Sequence, residues 1–85
     1  MVLVLEISEY DEREGINIHW ENDFEIIASQ SNNETLIRAN KAGLTSLAIQ
    51  LLTLAQDSVP SGSHIHYDEY GSLELGSKEF IIEKK

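Results

Sequence analysis

The sequence predicts an α+β fold, an antiparallel β-sheet of about five to six strands with one amphipathic helix packed on one face, in the order β-β-β(-β)-α-β-β. Stretches that alternate with a period of two flank a single stretch of helical period, and the connections between the alternating stretches are short and polar, as hairpins require. A length of 85 residues, 41% of them hydrophobic, allows one small core. The chain is therefore read as one domain over residues 1–85, close to the lower size limit for folding unaided.

Residues 2–9, VLVLEISE, are β-branched and aliphatic, with Leu3, Leu5 and Ile7 on one face and Val2, Val4, Glu6 and Ser8 on the other, which predicts a first strand. Charged residues 11–14 and Gly15 make a turn. Ile16, Ile18 and Trp20 then alternate with Asn17, His19 and Glu21 to give a second strand. Glu21, Asn22 and Asp23 form another polar turn, and residues 24–30 alternate Phe24, Ile26 and Ala28 against Glu25, Ile27 and Ser29 as a third strand. Ser31, Asn32, Asn33 and Glu34 have turn composition, so residues 35–39 are either a short fourth strand or the lead-in to a helix.

Asn40 suits an N-cap, and over residues 41–56 the apolar positions Leu44, Leu47, Ala48, Leu51 and Ala55 recur at helical spacing. With Leu52 and Leu54 they fill one broad arc of the helical wheel, which predicts a core-facing surface. The opposite arc holds Thr45, Ser46, Gln50, Thr53 and Gln56 with Ile49 among them, and no charged residue occurs between Ala42 and Gln56. Pro60 ends the helix by forcing its predecessor out of the α region, and Ser61 and Gly62 complete a turn. Residues 63–69 alternate Ile65 and Tyr67 against His64, His66 and Asp68, and residues 78–83 alternate Phe80 and Ile82 against Glu79, Ile81 and Glu83, a closing hairpin. Leu73 and Leu75, in its connection, belong either to a strand or to the cover over the helix end.

Charge narrows the function. Fifteen acidic against six basic side chains leave a net charge of −9 and a pI near 4.5, which opposes binding to nucleic-acid phosphates or to anionic lipid. No cysteine is present, so neither a disulfide framework nor a Cys-based zinc site supplements the core. Residues 1–7 are apolar but short and without a basic leader, which leads to the expectation of a cytoplasmic protein that neither enters nor binds a membrane.

His64, His66 and Asp68 are the one constellation with metal-ligand spacing, because the strand period of two places both imidazoles and the carboxylate on one face. The competing explanation is a solvent-facing strand surface that needs no ligand. His19 joins them only if its strand lies alongside. The sequence contains no nucleophile elbow, phosphate loop or metalloprotease signature, so the expectation is a protein that is not an enzyme and carries no cofactor. The acidic residues fall into an early block with Glu12, Glu14 and Asp23 and a late one with Asp68. Together they form a negative field suited to steering a basic partner. Ile49, on the uncharged arc of the helix, is either an isolated surface residue or part of a contact surface, and Trp20 is either core or an exposed anchor.

Ala39-Asn40-Lys41-Ala42-Gly43-Leu44, Ser46-Leu47-Ala48, Leu51-Leu52-Thr53-Leu54-Ala55, Pro60-Ser61-Gly62, the His64-x-His66-x-Asp68 strand and the closing Glu79-Phe80-Ile81-Ile82-Glu83 resemble a bacterial immunity-protein family of polymorphic toxin systems, of the immunity protein 32 type. The resemblance implies a cytoplasmic antidote that neutralises a cognate toxin domain, in many such systems a nuclease, by stoichiometric binding. The residues themselves, through the acidic blocks, the uncharged helix arc and the polar face of the His64 strand, supply the partner surface expected for that role: Glu12, Glu14, Asp23, Ile49, His64, His66 and Asp68, facing a basic toxin. Two other readings stand beside it: a metal-binding module or metal-dependent enzyme on His64, His66 and Asp68, and a self-associating domain that forms a homodimer through Thr45, Ile49, Leu52 and Thr53.

Overall fold

The computed structural model describes residues 1–85. It contains one helix and four strands: β1 (Ile26–Ser31), β2 (Glu34–Ala39), α1 (Lys41–Leu54), β3 (His64–Tyr67) and β4 (Phe80–Glu83). The α+β class is as expected, but the strands form two antiparallel pairs, β1-β2 and β3-β4, in place of one sheet of five to six. No helix is long and apolar enough to cross a membrane.

The first hairpin is built by its turn. Asn32 and Asn33 have φ values of 53° and 66°, the left-handed pair that a two-residue type I′ connection demands and that asparagine tolerates. The turn pairs Ser31 with Glu34, Ser29 with Leu36 and Ile27 with Arg38, which resolves residues 35–39 as strand. The intervening residues of β1 point their backbone the other way, toward the segment that leads into β4. There Ile26 O accepts from Glu74 N at 2.9 Å, Ala28 O accepts from Lys78 N at 2.8 Å, and Ala28 N donates to Ser77 Oγ at 3.2 Å. These bonds join the two hairpins side by side.

Asn40 caps α1 as expected and also fastens it. Its Oδ1 accepts from Gly43 N at 2.8 Å and from Glu25 N at 3.0 Å, while its Nδ2 donates to Asp23 O at 2.9 Å. The helix start therefore sits close against residues 23–25, and a Cβ on Gly43 would lie 2.5 Å from Glu25 O. Past the other end Lys84 Nζ donates to the carbonyls of Gln56 and Val59, fastening the turn that follows the helix to the residue after β4.

The orientation of α1 differs from the expectation. The buried stripe is Gly43, Ser46, Gln50, Thr53 and Leu54, while Leu44, Leu51 and Leu52 remain 56%, 42% and 48% exposed. Hydrogen bonding explains the rotation. Ser46 Oγ accepts from Glu21 N at 2.8 Å, Gln50 Nε2 donates to His19 O at 3.0 Å, and Gln50 Oε1 accepts from the Tyr67 hydroxyl at 2.8 Å. Gln56 bonds both Tyr10 N and Ser8 O. Residues 8–21 are thus laid across the helix and held by its polar side chains.

That arrangement also removes two expected strands. Residues 2–9 and 16–20 join no ladder, and the only pairing in this part of the chain is an isolated bridge between Asp11 and Gly15. Four backbone groups of this part of the chain, Ser8 O, Tyr10 N, His19 O and Glu21 N, are bonded instead to Gln56, Gln50 and Ser46, and Met1, Val2, Leu3 and Val4 lie exposed. The core consists of Ile26, Ala28, Leu54, Val59, Ile65, Tyr67 and Leu73. Trp20 packs against it, stacked on Phe24 with ring centroids 4.4 Å apart and edge-on to Tyr67 at 6.3 Å, and Tyr67 stacks on Phe80 at 4.6 Å. Leu73 belongs to this core, whereas Leu75 is exposed.

Candidate functional site

The early acidic residues are carried by two separate turns. Glu12 and Glu14 are exposed on the turn closed by Glu14 N and Gly15 N donating to Asp11 O at 3.0 and 2.9 Å. Within it Arg13 pairs with Asp11 at 3.3 Å; its side-chain hydrogen bond, with a smaller backbone contribution, holds the Asp11 carboxyl below the usual aspartate range. Arg13 therefore offsets one charge of the block. Asp23 is exposed on the other turn, with φ 62°, beside the Asn40 cap. Tyr10 is anchored to Gln56, past the C-terminal end of α1, and Asp23 to Asn40 at its N-terminal end. A helix of 14 residues is about 21 Å long at ~1.5 Å per residue, so Glu12 and Glu14 lie far from Asp23.

The Glu12–Glu14 turn instead adjoins the start of β3. Tyr10, Gly15 and Ile16 line one shallow, open depression together with Ser61, Gly62, Ser63 and His64. His64 and His66 are both exposed, as alternation on β3 requires, and their rings stand 4.9 Å apart at a steep angle. The Nδ1 atom of His64 is 3.0 Å from Gly62 O, which favours a proton on that nitrogen and leaves Nε2 outward. Glu83 is the cross-strand partner of His64. This end of the molecule combines two imidazoles with Glu12, Glu14 and Glu83.

Asp68 does not complete a metal triad with them. Its Oδ1 accepts from Tyr70 N at 3.1 Å and Gly71 N at 2.9 Å, closing the tight turn after β3, as aspartate side chains often do. His19 lies elsewhere, lining a depression with Glu6, Asn17, Ile49 and Thr53. No group of three or more His, Asp or Glu side chains comes together in a geometry that could hold a metal. Ile49 is half-buried beneath residues 6–19, so it is not the centre of a free helix face. That face is formed by Leu44, Leu51 and Leu52, whose helical spacing predicts a core-facing position. The signal for it was the absence of charge from Ala42 to Gln56, which marks both the buried and the exposed sides of α1.

The sequence model of one protein family, immunity protein 32, matches residues 34–85. The chain belongs to that family. No curated protein and no solved structure matches it. The immunity protein 32 match spans β2, α1, β3 and β4 and includes Ile49, His64, His66 and Asp68. Glu12, Glu14 and Asp23 precede it, as does β1, which supplies Ile26 and Ala28 to the core. The matched part of this chain is completed by residues 8–31, of which β1 pairs with β2, residues 8–21 cross α1 and two turns carry the early acids.

Proposed function

We propose that this protein is the antidote of a bacterial polymorphic toxin system, neutralising a cognate toxin domain in the cytoplasm by forming a stoichiometric complex, without catalysis. The immunity protein 32 match over residues 34–85 carries this reading. The charge supports it: a net −9, with Glu12, Glu14 and Asp23 on exposed turns, is complementary to a basic target and speeds its capture. A nuclease is the toxin class that fits best, because a surface built to hold phosphates is basic. Glu12, Glu14, His64, His66 and Glu83, gathered at one end, are the group we assign to the first encounter. The test is co-expression with the toxin domain encoded immediately upstream, scored by host survival and then by co-purification. Survival with a soluble complex is expected. Host death while both proteins remain soluble would reject that toxin as the target.

A further inference from the structure

We propose that the free edge of β2 pairs with β2 of a second copy of this chain, forming an isologous antiparallel dimer centred on Leu36. The edge is open. In a hairpin closed by a two-residue turn the flanking residues exchange hydrogen bonds, and alternate residues beyond them do the same. Glu34, Leu36 and Arg38 therefore bond β1, while Thr35 and Ile37 direct their N–H and C=O groups away from it, and no turn, loop or cap elsewhere in the chain bonds them. The opposite edge of this hairpin is occupied by residues 74–78, so its free edge is that of β2. Its residues are exposed from Glu34 through Arg38, and it lacks the proline, bulge or lysine row that commonly blunts such an edge.

The sequence of the edge is complementary to itself. Laid antiparallel about Leu36, Thr35 faces Ile37 of the second copy, so the outward backbone groups meet in hydrogen-bonding phase. In the same register Leu36, 58% exposed, faces its own equivalent in the closely spaced type of pair, and Glu34 faces Arg38 at both ends. Shifting the centre to Thr35 or Ile37 keeps the backbone phase but separates the charges. Residues 26–56, which include β2, contain one acid, Glu34, against two bases, Arg38 and Lys41, so this stretch of sequence carries +1 within a chain of net −9. Glu25 and Glu74 adjoin Arg38 at one end of the strand, while Glu12 and Glu14 are carried on a separate turn beside β3. The acidic surface stays available to a toxin, which makes dimerisation independent of the proposed neutralisation.

The test is sedimentation equilibrium of the full chain alone, at physiological salt and up to the concentrations of an NMR sample. A monomer–dimer equilibrium is expected. Glu34→Arg, which sets like charges opposite each other at both ends, raises the dimer dissociation constant by about ten-fold, and Glu34→Arg with Arg38→Glu restores it. Thr35→Pro removes an outward N–H without touching the β1 ladder and yields monomer with unchanged far-UV circular dichroism. A wild-type protein that stays monomeric overturns the proposal, as does a dimer that persists unchanged in both Glu34→Arg and Thr35→Pro. Amide protection at Thr35 and Ile37 that arises only when toxin is added would assign the edge to the toxin and overturn it as well.

Discussion

Tyr67 is the residue on which most of the interior converges. Fully buried, it stacks on Phe80, meets the edge of Trp20 and donates its hydroxyl to Gln50 Oε1. Burial pushes its pKa up to about 12. Because the unfolded phenol ionises near pH 10 while the folded one still holds its proton, stability is unaffected below pH 10 and declines as pH rises from about 10 toward 12. Tyr67→Phe removes that decline, and at neutral pH it costs about 1–3 kcal/mol by leaving Gln50 Oε1 buried with no partner; denaturant titrations at pH 7 and pH 11 measure both effects. Gly43 is constrained by space. With Glu25 O 2.5 Å and Ala39 Cβ 3.0 Å from the position of an added Cβ, Gly43→Ala must push the helix start off the Asp23 turn. The expected cost of about 1–3 kcal/mol outweighs the gain of up to ~1 kcal/mol from alanine's helix propensity, and a lowered melting temperature is the readout.

At the scale of elements, the most informative disagreement concerns which way α1 faces. Its start was legible, since Asn40 is read as the cap and Lys41 does begin the helix, and the β3-β4 hairpin was visible in the alternation of Ile65, Tyr67, Phe80 and Ile82. Its buried side was not. Apolar periodicity identifies an amphipathic face but says nothing of backbone groups far away in sequence that need a donor or acceptor, and here Glu21 N, His19 O and the Tyr67 hydroxyl draw Ser46 and Gln50 inward. The same cause hid the fate of residues 2–9 and 16–20, whose strand-like alternation specifies no partner. Among the partner-surface residues, exposure at His64 and His66 followed from period two, whereas the turn made by Asp68 and the separation of Asp23 from Glu12 and Glu14 depend on tertiary contacts. Paired substitutions test the orientation. Leu54→Ala is expected to cost about 2–5 kcal/mol, while Leu52→Gln on the exposed face stays within about 0.5 kcal/mol. Equal losses from the two would mean that the helix faces the other way.

For the whole molecule, two hairpins joined through residues 74–78, one helix and a segment strapped over it give a radius of gyration of 13.5 Å, with charge divided unequally over the surface. Residues 26–56 are nearly neutral, and the acidic turns lie outside them. If steering acts through the end that holds Glu12 and Glu14, reversing those two to lysine slows toxin association by about ten-fold at low salt, an effect that fades as salt screens it. Reversing Asp23, at the far end of α1, leaves the rate nearly unchanged; stopped-flow association kinetics separate the two. The central claim is neutralisation by stoichiometric binding, and titrating a fixed amount of the purified toxin domain with this protein tests it most directly. Toxin activity should fall linearly and vanish at an equimolar ratio, with no further dependence on time of incubation. Protection by far less than one equivalent that deepens with time would show catalytic inactivation, and full toxin activity at excess protein would show no neutralisation; either result contradicts the account.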